Sequence, residues 1–379
     1  MKKYLIFLFL LPVAAVLYFY SEIYSPIKAP QKLQSKASEH TMSLLFIGDI
    51  MGHQSQINAA FDKKSKEYKY GTTFDKVSSI IKSYDFSLAN LEVTLSGTSY
   101  SGYPHFASPK SLVVAAKDAG IDVCFTANNH ACDKGKKGIK KTIKVLNDLK
   151  MKHTGTFSKK SDREENNLMI LEKDNIRVGL LNYTEHTNWV PTPKGVFVNR
   201  MDVAKMISDI NQTASKKLDK LILMLHWGDE YKHFPKMKYV NLAKELFDAG
   251  VDIIIGSHPH VLQPMHYSKA TKKSKEKLIY YSLGNFVSDQ RRRYRNGGGL
   301  AGIVIGKKEG KSYIKNQGFH LVWVNKYKKE EHNIFEVLPV KSYENNKSYL
   351  KGYAKKQIEE FISDSRSHLQ KHNTNVIEW

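Results

Sequence analysis

Apolar residues recur along this chain in two alternating rhythms, and that alternation sets the expected fold. Short apolar runs read as buried strands at 43–48 (SLLFIG), 85–90 (DFSLAN), 121–127 (IDVCFTA), 177–183 (RVGLLNY), 219–226 (DKLILMLH), 251–257 (VDIIIGS) and 277–286 (KLIYYSLGNF). Between them, stretches with helical spacing read as amphipathic helices at 74–83, 110–120, 138–150, 202–212 and 240–250. The helix at 110–120 ends on Gly120, a usual stop signal. Strands that alternate with helices predict an α/β layered fold. Gly297, Gly298 and Gly299 read as a flexible turn into the next strand; beyond Gly299 the rhythm changes to successive strands joined by turns, and 346–372 reads as a terminal helical region.

The first thirty residues follow neither rhythm. Lys2 and Lys3 precede an apolar or aromatic run of 17 residues, from 4 to 20. That length reaches the lower end of the about 17–25 residues that span a bilayer. Lysines before the run place the N-terminus in the cytoplasm and the bulk of the chain outside. A small-x-small exit is missing after the run, which favours an uncleaved anchor over a cleaved signal peptide. The expected organisation is a signal anchor at 1–22, a linker at 23–41, a main domain at 42–308, and C-terminal strands with a helical tail at 309–379. The expected location is the cell membrane, single-pass, with the main domain extracytoplasmic.

Composition adds a partner class. The formal net charge is +22, which favours anionic partners. Export removes nucleic acid from that group and leaves anionic lipid or an acidic polymer. The chain holds 2 cysteines, Cys124 and Cys132, so no disulfide scaffold is expected at this size.

The candidate chemistry lies where the strands end. Asp49 follows the first run, Asn90 and Glu92 the second, and Asn128, Asn129, His130 and Asp133 the third. His226 closes the run LILML, His258 and His260 follow DIIIG, and SLGNF closes the last. Taken singly, each has a plain structural role available as a cap, a turn residue or a core imidazole. Taken together, they bring several imidazoles, carboxylates and amides to one rim, because ligands in open α/β sheets sit at the carboxyl ends of strands. Imidazole with carboxylate suits a divalent ion such as Zn, Mn or Fe. A pair of such ions can clamp a hydrolysed ester or amide, and a free imidazole beside them can protonate the leaving group.

Six stretches in order, LLFIGDIM, LANLEVTLSG, TANNHACDKG, LHWGDEY, GSHPHVLQP and YSLGNF, resemble the motifs of the CapA family of capsule or poly-γ-glutamate synthesis proteins. That family is in turn similar to the calcineurin-like metallophosphoesterases. The resemblance implies a four-layer α/β/β/α sandwich with one or two divalent metals at the strand ends. Asp49 matches the Asp of the D-x-H motif, but Met51 stands at its His, with His53 two residues on. Asn90 or Glu92 must replace the bridging Asp of the G-D motif. Asn129 and His130 match a metal ligand and the general acid, His226 the lone His, and His258 and His260 the G-H-x-H motif. The departures fall mainly on one of the two metal positions. The implied substrate is an anionic polymer, poly-γ-glutamate, with other capsule synthase subunits as further partners. Arg291, Arg292 and Arg293 are candidate grips for its carboxylates. Three readings follow: an envelope-anchored synthesis or export protein with a hydrolase-like site for amide or ester bonds, a non-catalytic polymer-binding assembly factor, and a cell-surface metallophosphoesterase.

Overall fold

The structure, a computed structural model, describes residues 39–95, 97–330 and 332–379. The predicted anchor at 1–22 and nearly all of the linker at 23–41 lie outside the described residues. Among the described residues, no helix is long and apolar enough to cross a membrane.

The described residues build two main sheets in three passes. The first pass lays down β1 (His40–Ile50), α1 (Gln54–Ala60), β2 (Phe86–Leu91), α2 (Lys110–Asp118), β3 (Val123–Phe125), α3 (Gly135–Asp148) and β4 (Lys152–Thr154). β1 to β4 lie side by side in that order and run parallel. The second pass adds β5 (Met169–Lys173), β6 (Ile176–Thr184), α4 (Val203–Gln212), β7 (Lys220–His226), α5 (Met237–Asp248), β8 (Ile253–Ser257), β9 (Met265–Ser268) and β10 (Lys277–Tyr280). These form a six-stranded sheet in the order β5-β6-β7-β8-β10-β9, antiparallel only at its two edges. The third pass returns to the first sheet with β11 (Asn285–Val287), β12 (Gly297–Lys308), β13 (Lys311–Lys329), β14 (His332–Pro339), α6 (Gly352–His372) and β15 (Ile377–Glu378). β12 pairs antiparallel with β1, and β11 pairs parallel with its end, which completes nine strands.

Alternation along β1 shows how the layers are held. Leu44 and Phe46 join Val178, Met224 and Ile255 of the second sheet in one apolar cluster between the sheets. Leu45 and Ile47, on the other face, pack with Leu112, Val113 and Leu146 of α2 and α3. A third cluster joins the far face of the second sheet to α4 and α5 through Leu223, Ile254, Met206 and Leu246. The layers thus run helices, sheet, sheet, helices. Strands buried on both faces read as continuous apolar runs, which is why β1, β7 and β8 were legible without a period-two pattern. Each fully buried Leu, Ile or Phe of these runs contributes about 1.5–3 kcal/mol relative to exposure.

Two details differ from the expected elements. The run 277–286 is two strands, not one: β10 ends at Tyr280 in the second sheet and β11 begins at Asn285 in the first. The crossing falls at Gly284, whose φ is +68, and its carbonyl accepts the Asp49 N–H at 3.1 Å. Gly297, Gly298 and Gly299, expected as a flexible turn, are strand residues at the start of β12. A Cβ at Gly298 would sit 2.4 Å from the Leu283 carbonyl, so close strand crossing explains the glycine there. The strands and helix of 309–379 belong to the same compact unit as 42–308, with β13 paired along β12 and Phe361 of α6 in the cluster between the sheets. Cys124 and Cys132 are free and buried.

Candidate metal centre at the strand ends

The parallel strands deliver their last residues to one place. Asp49 sits next to last in β1, at a register shift against β2, and faces Asn285 of β11. Gly48 before it has no room for a side chain, because a Cβ would lie 2.2 Å from the Gly284 carbonyl. Asn90 is in β2, and Glu92 follows that strand. His226 ends β7 beside Ser257, which ends β8. His258 and His260 come next, with φ of 99° and 58°. Such backbone at a residue with a side chain costs about 1–3 kcal/mol and persists where packing over-determines it. Here it sets the two rings 6.0 Å apart, with His258 against His226 and His260 against Asp49.

Two sets of donor atoms result. Asp49, Glu92 and His260 form one; Glu92, His226 and His258 form the other; within each, the ligand atoms lie within 4.8 Å of one another. Glu92 belongs to both. Its Oε1 is buried without a hydrogen-bond partner and lies 3.7 Å from Nε2 of both His226 and His260. Asn129 Oδ1 lies 2.9 Å from His226 Nε2 and so faces the second set. His226 Nδ1 lies 2.9 Å from Ser257 Oγ. With that nitrogen donating to Ser257, the His226 Nε2 lone pair meets the Asn129 and Glu92 oxygens. Converging acceptors with an orphaned carboxylate oxygen are the donor set that a divalent cation satisfies.

The electrostatics point the same way. Burial, then the neighbouring Asp49 charge, push the Glu92 carboxyl well above the usual carboxylate range. Burial, then the surrounding imidazoles, hold His226 and His258 well below the usual imidazole value. Neutral imidazoles with available lone pairs are what metal ligation requires. A dication placed among them removes the repulsion that raises Glu92.

Asn90 is placed differently from the ligand role expected of it. Its amide nitrogen donates to Asp49 Oδ1 at 2.8 Å and to Glu92 Oε2 at 3.2 Å, and its carbonyl takes the Asn128 amide at 3.3 Å. It ties the two carboxylates together. His130 lies beside the centre, buried, with Nδ1 at 2.7 Å from Asp133 Oδ2 and its ring edge-on to Phe106. Asp133 Oδ2 also takes the Phe106 N–H at 2.6 Å, which fixes the carboxylate that orients the ring. His53 does not replace the missing first-motif histidine: its Nδ1 accepts the Asp289 N–H at 3.2 Å, and its own N–H donates to Gln56 Oε1 at 2.8 Å. Met51 is buried in the apolar cluster under the helices. Arg291 donates to the Val324 carbonyl and lies over Trp323, Arg293 is held by both oxygens of Asp364, and Arg292 is exposed.

Residues outside the sequence-derived set complete the rim. Asn285 Oδ1 lies 3.0 Å from His260 Nδ1, and the His186 ring packs on His258 at 5.0 Å. Ser257 and Asn285 stand inside quoted motifs and so carried a signal. His186 lies in a segment that no strand-end pattern singled out.

A sequence model described as bacterial capsule synthesis protein PGA_cap matches residues 43–290. The chain belongs to this family. The resemblance drawn from the six ordered motifs therefore holds. Among relatives of the PGA_cap family chain, the capsule biosynthesis protein CapA of Bacillus anthracis is 30% identical over 74% of this chain and 67% of its own length. The PGA biosynthesis protein CapA of Bacillus subtilis is 28% identical over 67% of this chain and 65% of its own length. Among solved structures, Haemophilus influenzae NAD nucleotidase matches at TM-score 0.49 and 15% identity over 87% of this chain and 68% of that one. A calcineurin-like phosphoesterase from Bacillus subtilis matches at TM-score 0.43 and 14% identity over 75% of this chain and 91% of that one.

Proposed function

We propose that this capsule-synthesis family member acts at the outer side of the cell membrane on an anionic polymer, poly-γ-glutamate, through a hydrolase-like centre for two divalent ions. The observation that carries the reading is Glu92, whose orphaned Oε1 sits between His226 and His260 at 3.7 Å from each. Asp49, Glu92 and His260 would hold one ion; Glu92, Asn129, His226 and His258 would hold the other. Zn, Mn or Fe suits this mixture of imidazole, carboxylate and amide oxygen. Ions bound there would supply Lewis acidity toward the carbonyl or phosphoryl oxygen of a scissile bond. His130, steered by Asp133, gives a proton to the leaving group. Asn90 keeps Asp49 and Glu92 at a fixed separation. Arg292 offers an exposed guanidinium to polymer carboxylates, with Arg291 and Arg293 fixed on either side of it. Residues 1–22 anchor the chain, and other capsule synthase subunits are its protein partners. Net charge of +22 supports attraction to a polycarboxylate.

A non-catalytic polymer-binding factor is the second reading, and Met51 in place of an imidazole favours it. Elemental analysis of the full-length chain, purified without chelators, separates the two. The first reading expects about one to two transition metals per chain, their loss in a His258→Ala/His260→Ala variant, and shortening of poly-γ-glutamate by wild type alone. A wild-type chain that is metal-free and takes up none moves the conclusion to the second.

A further inference from the structure

α3 begins beside the site and carries a charge pattern that the metal centre does not use. It starts at Gly135, just after Asp133 and His130. Its buried face holds Gly138, Ile139, Thr142, Ile143, Val145 and Leu146. Lys136, Lys137, Lys140, Lys141 and Lys144 are all exposed. At 3.6 residues per turn they fall in a single arc of about 140°. Lys144 pairs with Asp148 at 2.7 Å, and the other four make no ion pair among the described residues. Lys136, Lys140 and Lys144 form one row, with charges about 6 Å apart along the axis. Lys137 and Lys141 repeat that interval beside it. Like charges at this spacing repel one another, so the isolated helix gains nothing from the arrangement.

The rows start at the wall of the site. A Cβ built on Gly195 would lie 3.2 Å from the Lys136 ammonium. Gly195 belongs to the segment after β6 whose His186 packs on His258, and whose Asn188 amide lies 3.5 Å from His130 Nδ1.

We infer that the lysine face of α3 is a track that leads an extended polycarboxylate into the strand-end site. The inference rests on the polymer reading above and adds where the polymer lies. Two rows of ammonium groups that repeat about every 6 Å along the helix complement the run of like charges on a polycarboxylate, and the end of the rows nearest Asp133 and His130 directs it toward the site.

The test uses the full-length chain, with poly-γ-glutamate and anionic vesicles as probes, at low salt, with and without a chelator. One variant is Lys136→Gln/Lys140→Gln/Lys144→Gln. The control is Lys269→Gln/Lys272→Gln/Lys273→Gln, exposed lysines at the opposite end of the second sheet. The track variant is expected to weaken polymer binding by about fivefold or more, as for three surface ion pairs lost together, and the control by less than about twofold. Chelation leaves these differences in place, so failure of the metal reading leaves this result readable. A track variant that binds like wild type, or a control that loses as much, overturns the track. Loss of binding to anionic vesicles with polymer binding unchanged assigns the rows to a membrane surface and overturns the choice of partner.

Discussion

The two halves of the strand-end centre share Glu92 and differ in almost everything else. The half with Asp49 and His260 has a single imidazole, and Met51 and His53 on the same loop face other tasks. The half with His226 and His258 has two imidazoles and the Asn129 carbonyl, and Ser257 steadies its central ring. Three donors against four, one of them shared, give unequal hold on a cation. On the proposed reading, the richer half is expected to retain an ion through purification and the poorer half to exchange one. An exchangeable position beside a fixed one would suit the proposed hydrolase-like role, in which the centre also admits a substrate oxygen.

Glu92→Gln tests the comparison hardest, because it takes a donor from both halves. Elemental analysis should find both ions lost. The same variant should melt higher than chelated wild type at neutral pH, since it removes a buried carboxylate from beside Asp49. Retention of one full equivalent would show that the halves do not depend on a common ligand.

His226→Ala against His260→Ala separates the halves. The first should lose the tightly held ion, leaving Asn129 and Ser257 without their partner. The second should lose only the exchangeable one, seen as loss of the weaker phase in a metal titration. Identical titration curves for the two variants would end the asymmetry. Ser257→Ala is milder. It should weaken the His226 half by about 10–100-fold, as removal of an orienting partner does, and leave the other half unmoved.

The pH response gives the smallest effect. His226 and His258 are held below the ordinary imidazole value, so their contribution to stability is present above about pH 6.5 and lost as pH falls below it. Glu92, held high, works in the opposite direction and is best removed first. Chelated Glu92→Gln protein should therefore melt a few degrees lower at pH 5 than at pH 7. A higher melting temperature at pH 5 would mean that the imidazoles are not buried as neutral groups.

What was legible in the sequence follows from burial. β1, β2, β3, β7 and β8 are apolar on both faces, and polar residues with no apolar reason to be there stand at or just beyond the end of each. That contrast located Asp49, Glu92, Asn129, His226, His258 and His260. The split between β10 and β11 was not legible, because residues on both sides of the crossing are buried alike and only Gly284 marks it. The task of Asn90 was hidden for a different reason: amide nitrogen and amide oxygen are the same letter in a sequence, and only geometry shows which end meets the carboxylates. His186 reaches the centre from a segment whose own pattern is irregular.

The passage from Tyr280 to Asn285 also bears on time. Asp49 meets His260 across 211 positions of chain, and Asn129 meets His226 across 97. Closing loops of that length is slow, and contacts between distant positions dominate the folding rate. β10 lies in the second sheet and β11 in the first, so the chain between them must cross from one sheet to the other. The donor set is thus complete only once residues from Asp49 to His260 are all in place, and a chain that has emerged from its ribosome short of His260 holds no full set with which to capture an ion.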